Sequence, residues 1–236
     1  MTLHAGTVHV SVIRLDEPVA SDLLDEEERR RAGRFVFDRD RRRFVAAHAA
    51  TRAILGRFLD ADPASLRFAV ADGGKPRLID PPIDLRFNLS HAGERALLAV
   101  ALGREVGVDI EARRVLSDPM QVANQVFTAA ERAHLRALPA SDFEDVFFRL
   151  WTRKESFIKA RGDGMRFPLR GFEVSAAIDG PQLLLSCAAE PADLDRWTMV
   201  ALPSEPDYFA ALTVEGRDFV VAIDDTYRAE GTGSGE

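Results

Sequence analysis

Residues 95–111, RALLAVALGREVGVDIE, place two apolar runs on either side of Gly103, and their reading decides the fold. Arg95 to Ala101 reads as a short strand, Gly103 as turn material and Glu105 to Glu111 as a second strand. Working upstream, Asp84 to Leu89, Leu66 to Val70 and the alternating Thr7 to Leu15 read as further strands, with turns at Ala92-Gly93 and Gly73-Gly74. Asp40 to Leu59 predicts a helix, because Phe44, Ala47, Thr51, Leu55 and Phe58 recur at spacings of three and four. Asp22 to Arg34 is polar and helix-forming. Downstream, helices are expected at about 118–126, 128–138 and 142–161, and strands near 171–178, 181–187, 196–202 and 207–214, with 218–223 as a further candidate. A helix-then-strands order thus occurs twice, broken near Gly103. This predicts an α+β chain of two similar lobes, 1–103 and 104–227, followed by a flexible Gly/Ser-rich tail at 228–236. No residue-level repeat accompanies the duplication, which rests on element order alone.

The chain has 236 residues, 46% of them hydrophobic, enough to bury a sizeable core. A net charge of −7 and a pI near 5.4 argue against a protein that coats nucleic acid. A single cysteine, Cys187, leaves no internal disulfide framework and no cysteine-built zinc site. No stretch approaches the roughly 18 apolar residues of a membrane span, and the N-terminus lacks a cationic start with an apolar run. The cytoplasm is the expected compartment.

In EVGVDIE, strand alternation sets Val106, Val108 and Ile110 on one face and Gly107, Asp109 and Glu111 on the other. The two carboxylates then lie roughly 6.6 Å apart by strand rise, beside a glycine expected to leave room for a ligand. An edge strand with a solvated acidic face is the plainer alternative. A third carboxylate stands in LWTRKESFIKARGDGM, residues 150–165, which also holds two of the three lysines in a chain with 31 Lys plus Arg. On a helical wheel Phe147, Leu150, Trp151 and Ile158 form an apolar stripe with Lys154 in its middle, so Lys154 has to snorkel to water or meet an anion. Glu155 and Lys159 sit i,i+4 on the stripe's border, the spacing of an ordinary surface ion pair. Asp109, Glu111 and Glu155 with lysines nearby also suit a hard divalent cation holding a phosphate. Neither a G-x-x-x-x-G-K-[ST] loop nor a G-x-G-x-x-G loop is present.

FNLSHAG, residues 87–93, ends a strand in Ser90-His91 and a small-residue turn, where a hydroxyl, an imidazole and backbone N–H groups can bind phosphate. A core histidine satisfied by a carbonyl is the other reading of His91. Residues 29–43 hold eight arginines interleaved with Phe35 and Phe37, either a solvated helix face paired to Glu26, Glu27, Asp38 and Asp40 or a binder of phosphorylated ligand or RNA.

Taken in order, GKP at 74–76, FNLSHAG at 87–93, GVDIE at 107–111, Phe127-Thr-Ala-Ala-Glu131 and WTRKESFIKARGDG at 151–164 resemble the 4'-phosphopantetheinyl transferases of the larger, surfactin-synthetase-activating type. Five motifs in the right order and spacing, covering about 20–164, make the resemblance specific where no single motif would. It implies two similar lobes in pseudo-twofold arrangement with the active site in the cleft between them, coenzyme A as donor, Mg²⁺ or alternatively Mn²⁺ as cofactor, and a serine of an apo acyl or peptidyl carrier protein as acceptor. Adenosine 3',5'-bisphosphate would be the second product. By motif position Asp109, Glu111 and Glu155 would be the metal ligands, Ser90 and His91 would contact the phosphates of coenzyme A, and Lys159 the phosphate chain. Lys75 and Arg43 would approach the 3'-phosphate, Arg43 by alignment of the helix around it. Lys154 and Trp151 would brace the site.

Departures from the pattern are small. Met165 stands where the family often has Leu or Ile, and Arg34 and Arg39 where it often has lysines. After about 171 no motif can be matched residue by residue. On that reading Glu155, or a water it positions, is the candidate general base toward the attacking serine from its place beside the metal and the acceptor cleft, Lys159 is expected to stabilise the leaving phosphate, and Asp109 to serve catalysis as a metal ligand. The segment Arg113 to Phe127, with Arg114 and Met120, is expected to dock an acidic carrier. A secondary-metabolite carrier is the expected acceptor; fatty-acid carriers, a non-catalytic coenzyme-A-binding module and an RNA-binding protein are the rivals. Neither nucleic acid nor membrane is expected as a partner, and one chain carrying both lobes is expected to act as a monomer.

Overall fold

The computed structural model describes residues 3–17, 21–180 and 182–227; the expected tail at 228–236 lies outside them. In chain order the elements are β1 (Thr7–Arg14), α1 (Glu26–Ala32), α2 (Asp38–Leu59), β2 (Phe68–Val70), β3 (Pro76–Leu78), β4 (Leu85–Ala92), β5 (Arg95–Leu102), β6 (Val106–Ala112), α3 (Pro119–Val126), α4 (Ala129–Ala137), α5 (Ala140–Arg161), β7 (Phe172–Val174), β8 (Leu184–Cys187), α6 (Asp193–Arg196), β9 (Trp197–Ala201), β10 (Tyr208–Glu215) and β11 (Val220–Tyr227). The class is α+β with two lobes, as the residue pattern predicts.

One sheet runs β11-β1-β5-β4 and the other β6-β10-β9, with β2-β3 and β7-β8 as separate ribbons. The period of two explains how they stack. Ala96, Leu98 and Val100 of β5 pack with Ala47, Ala50, Ile54 and Phe58 of α2, while Leu97, Ala99 and Ala101 join Val106, Val108, Ile110, Leu212 and Val214 of the second sheet. On the far side of the second sheet α5 buries Phe147, Leu150 and Phe157 against Phe172 and Trp197. The layers are therefore α2, first sheet, second sheet, α5.

Three local differences from the pattern have physical causes. The polar helix expected from Asp22 begins only after Asp25, because the Asp25 side chain accepts from Glu28 N at 2.8 Å and Glu28 Oε2 accepts from Asp25 N at 3.0 Å, a capping box. The strand expected over 171–178 stops at Val174, because Arg153 donates to the carbonyls of Ser175 (2.6 Å) and Ile178 (2.8 Å) and Arg149 to that of Ala176 (2.8 Å); side chains of α5 satisfy those groups in place of a ladder. The last strand, assigned to the second lobe by chain order, instead pairs parallel with β1, from Thr7 with Val220 to Val10 with Ile223. Chain order and sheet membership part there. Among the described residues no helix is long and apolar enough to cross a membrane.

Candidate active site at the lobe junction

Along one side of the stacked sheets the edge strands β4 and β6 meet through side chains. On β4, Asn88 Oδ1 accepts from Val108 N at 2.8 Å and Ser90 Oγ accepts from Ile110 N at 3.4 Å. The ladder that β6 lacks on this edge is thus supplied by two buried polar residues of FNLSHAG. Asn88 went unnoticed in the sequence; a buried amide inside an apolar strand was its signal.

On the opposite face β6 meets α5 at backbone distance. A Cβ on Gly107 would lie 2.2 Å from both Ala160 N and Ser156 O. The glycine therefore does not leave room for a ligand, as its motif suggested: the helix backbone fills that space, and the glycine is what lets it come so close. The close approach carries Lys159 to Asp109, with Glu155 on the same helix within the electrostatic reach of Glu111 and Lys159.

Asp109 is 4% exposed. Its Oδ1 accepts from Lys159 Nζ at 2.6 Å and from Ser90 Oγ at 2.9 Å, and Lys159 also donates to Ser90 Oγ at 2.8 Å. Oδ2 is buried without a hydrogen-bond partner. Burial pushes the Asp109 carboxyl up to about 6; Lys159 and Ser90 oppose this and the charge of Glu111 adds to it. Burial likewise raises Glu155, with Lys159 opposing and Glu111 adding. Glu111 pairs with Arg114 at 2.5 Å.

These three are the carboxylates singled out as metal ligands, and Asp109 and Glu155 both feel Glu111 as a like charge. Among the described residues no three His, Cys, Asp or Glu side chains converge tightly enough to cage an ion. The donor set nonetheless fits a hard divalent cation: all-oxygen, crowded with negative charge, with one buried carboxylate oxygen unpartnered.

Strand alternation separates Ser90 from His91, which were expected to act together on phosphates. Ser90 turns inward to Asp109. His91 turns into a cavity of about 490 Å³ lined by Arg31, Arg34, Phe35, Phe44, His48, Pro76, Leu89 and His91 itself. Burial, reinforced by the positive fields of His48, Lys159 and Arg43, holds the His91 pKa below its ordinary value. The arginine-rich segment divides: Arg30 pairs with Glu27, Arg39 with Asp40, and Arg41 and Arg42 with Asp38 on an exposed face, whereas Arg31 and Arg34 face the cavity.

A buried network fixes that division. Arg52, 0% exposed, donates to Glu28 and Asp25 at 2.6 Å each and to the carbonyls of Pro63 (3.1 Å) and Leu66 (2.8 Å). Glu28 also meets His48 Nδ1 at 2.9 Å. Although burial pushes Glu28 up, hydrogen bonds from His48, the Asp25 N–H and Arg52 hold it at about 2. The network pins α1 to α2, so Arg31 and Arg34 are presented to the cavity. His48, not marked by any sequence motif, lies four residues after Phe44 and packs against it as a tilted ring pair with centroids 4.0 Å apart.

Several expected contacts lie elsewhere. Lys75 is buried, and its ammonium donates to Glu105 (2.7 Å) and to the carbonyls of Val106 (2.8 Å) and Ala160 (3.1 Å). All three N–H donors are consumed, which leaves none for a 3'-phosphate; here Lys75 clamps the start of β6 to the end of α5. Arg43 pairs with Glu94 at 3.1 Å. Lys154, 1% exposed, meets Glu131 at 3.0 Å and the carbonyls of Leu169 (2.9 Å) and Phe172 (2.7 Å), so its place in the apolar stripe is met by an anion. Glu131 Oε1 in turn accepts from Val174 N at 2.8 Å. In the expected docking segment Arg114 turns toward Glu111, Met120 packs partly buried against the α5 core, and Val115 is 89% exposed.

A family model described as the 4'-phosphopantetheinyl transferase superfamily matches residues 105–222, and one described as 4'-phosphopantetheinyl transferase, N-terminal, matches residues 16–102. The chain is 36% identical over 223 residues to the 4'-phosphopantetheinyl transferase HetI of Nostoc sp., covering 92% of this chain and 91% of that protein. It is 28% identical to the 4'-phosphopantetheinyl transferase Sfp of Bacillus subtilis, covering 86% and 95%. To the human L-aminoadipate-semialdehyde dehydrogenase-phosphopantetheinyl transferase it is 32% identical over 64% of this chain and 52% of that one. The two family models meet at the Gly103 turn between the paired sheets, and the protein belongs to the 4'-phosphopantetheinyl transferase superfamily.

Proposed function

We propose that this enzyme moves the 4'-phosphopantetheine arm of coenzyme A to the serine hydroxyl of an apo acyl or peptidyl carrier protein of a secondary-metabolite synthase. The observation that carries the reading is the juxtaposition of Asp109, Glu111 and Glu155 with Lys159 beside a cavity lined by Arg31, Arg34 and His91. That arrangement suits a donor with a pyrophosphate at one end and a phosphorylated nucleoside at the other.

Asp109, Glu111 and Glu155 would hold Mg²⁺, with Mn²⁺ as an alternative. When bound, the ion would neutralise pyrophosphate charge as the bond to adenosine 3',5'-bisphosphate breaks. Arg31, Arg34 and His91 would fix the nucleoside end by charge and hydrogen bonding, and Phe44, packed against His48, offers an aromatic wall. Lys159 would follow the negative charge onto the leaving phosphate. Glu155 makes no hydrogen bond or ion pair to another described residue, and its raised proton affinity suits it to take the serine proton, directly or through a water. Arg113 to Phe127, with the exposed Val115, is the proposed carrier contact. The presence of both lobes in one chain supports a monomer. The lone, buried Cys187 is compatible with the reducing cytoplasm as the place of action.

The test is incubation with coenzyme A, Mg²⁺ and a panel of apo carrier domains, read by intact mass. Gain of one phosphopantetheine arm is the expected result. Glu155→Gln that turned over at the parental rate at saturating Mg²⁺ would remove Glu155 from its role.

A further inference from the structure

Lys159 sits on Asp109, the buried member of the carboxylate trio that would hold a divalent cation. Its ammonium contacts Asp109 Oδ1 at 2.6 Å and Ser90 Oγ at 2.8 Å, closing a ring in which Ser90 donates to the same carboxylate oxygen at 2.9 Å. The Asp109 side chain is 5% exposed and cannot turn to water for another partner, whereas the Lys159 side chain is 28% exposed on a four-carbon stem and can swing outward. No other cation contacts Asp109 among the described residues. Glu111 has its own internal cation, Arg114, but that pair is more exposed, at 53% and 18%.

We propose that Lys159 is a resident counter-ion that competes with the divalent cation for Asp109, so that metal and coenzyme A bind with positive coupling. The pyrophosphate of coenzyme A draws the ammonium off Asp109, and the freed carboxylate then accepts the metal. Binding of either ligand strengthens the other, because coenzyme A draws Lys159 off the carboxylate the metal needs, and the metal on that carboxylate releases Lys159 to the pyrophosphate. A compact ammonium suits this exchange; a guanidinium forked onto the carboxylate would resist it. The inference rests on the transfer function proposed above.

The experiment titrates Mn²⁺ into metal-stripped protein and reads free Mn²⁺ by electron paramagnetic resonance, with and without coenzyme A. In the parent, coenzyme A should tighten Mn²⁺ binding about 5- to 150-fold, the usual span of site-to-site coupling. Lys159→Met should tighten Mn²⁺ in the absence of coenzyme A by a comparable factor and shrink the further gain on adding it. Lys159→Gln, read alongside a thermal melt, should do the same, and Lys159→Arg should retain the parent's weak binding. Unchanged or weaker Mn²⁺ binding in both neutral variants overturns the proposal, as does a larger tightening in Arg114→Met than in Lys159→Met. The parent is also assayed for transfer to carrier domains. Transfer with no Mn²⁺ response in the variants sinks the counter-ion role and spares the function; no transfer to any carrier sinks the function, whatever the titration reads.

Discussion

Replacing Asp109 by Asn should make the protein more stable and inactive at once. Asn keeps the shape and the acceptor that Ser90 and Lys159 address, but removes a charge that the fold holds at a loss. The Asp109 carboxyl is raised from its ordinary 3.8 to about 6, mainly by burial. At ~1.4 kcal/mol per tenfold change in proton affinity, that displacement is worth roughly 3 kcal/mol. The sign follows from proton counting. Between 3.8 and about 6 the folded chain keeps a proton that the unfolded chain has released, so stability contributed by this group declines as pH rises through that window and levels off above it. Urea unfolding followed by tryptophan fluorescence should therefore show Asp109→Asn more stable than the parent by up to about 3 kcal/mol at pH 8, with the gap closing by pH 4. Transfer to a carrier should be lost at both. An Asn variant that is less stable at pH 8, or whose difference from the parent does not vary with pH, would refute the claim that Asp109 is a strained charge kept for chemistry.

Gly107→Ala should force α5 off β6, since its Cβ would meet Ala160 N and Ser156 O at 2.2 Å; a loss of about 1–3 kcal/mol or more is expected in urea, and an unchanged midpoint would contradict the backbone contact. Lys154→Met strands the buried Glu131 carboxylate and should cost about 3–5 kcal/mol, largely restored in Lys154→Met/Glu131→Gln; a loss under about 1 kcal/mol in the single variant would mean that water reaches Glu131. Lys75→Met should lower the melting temperature, by about 1–3 kcal/mol of stability, through two orphaned carbonyls and a weakened Glu105. Weaker coenzyme A binding by calorimetry with an unchanged melt would instead return Lys75 to the 3'-phosphate.

Much of this arrangement is legible in the residues. The faces of β6 follow from alternation, and the Lys154 environment follows from the helical wheel, because both depend only on local periodicity. Asp109 and Glu155 stand out as candidates for the same reason: residue type and spacing suit them to metal and acid–base chemistry. What could not be read depends on which strand lies beside which. The occupant of the space over Gly107 is not legible, because a glycine admits a ligand or a helix backbone equally and only the packing of α5 decides. The surroundings of Lys75 are not legible locally, because its partners, Glu105 and two carbonyls, lie 30 to 85 residues away in sequence. The return of β11 to β1 is equally non-local. The eight arginines were uninterpretable as a group until Arg52, Glu28 and Asp25 showed which side of α1 faces the cavity.

The most direct test of the central claim is the intact mass of an apo carrier domain after incubation with this protein, coenzyme A and Mg²⁺, run beside Asp109→Asn. The account predicts one added phosphopantetheine arm with the parent and none with the variant. A carrier panel left unmodified by the folded parent, or modified equally by the variant, would contradict it.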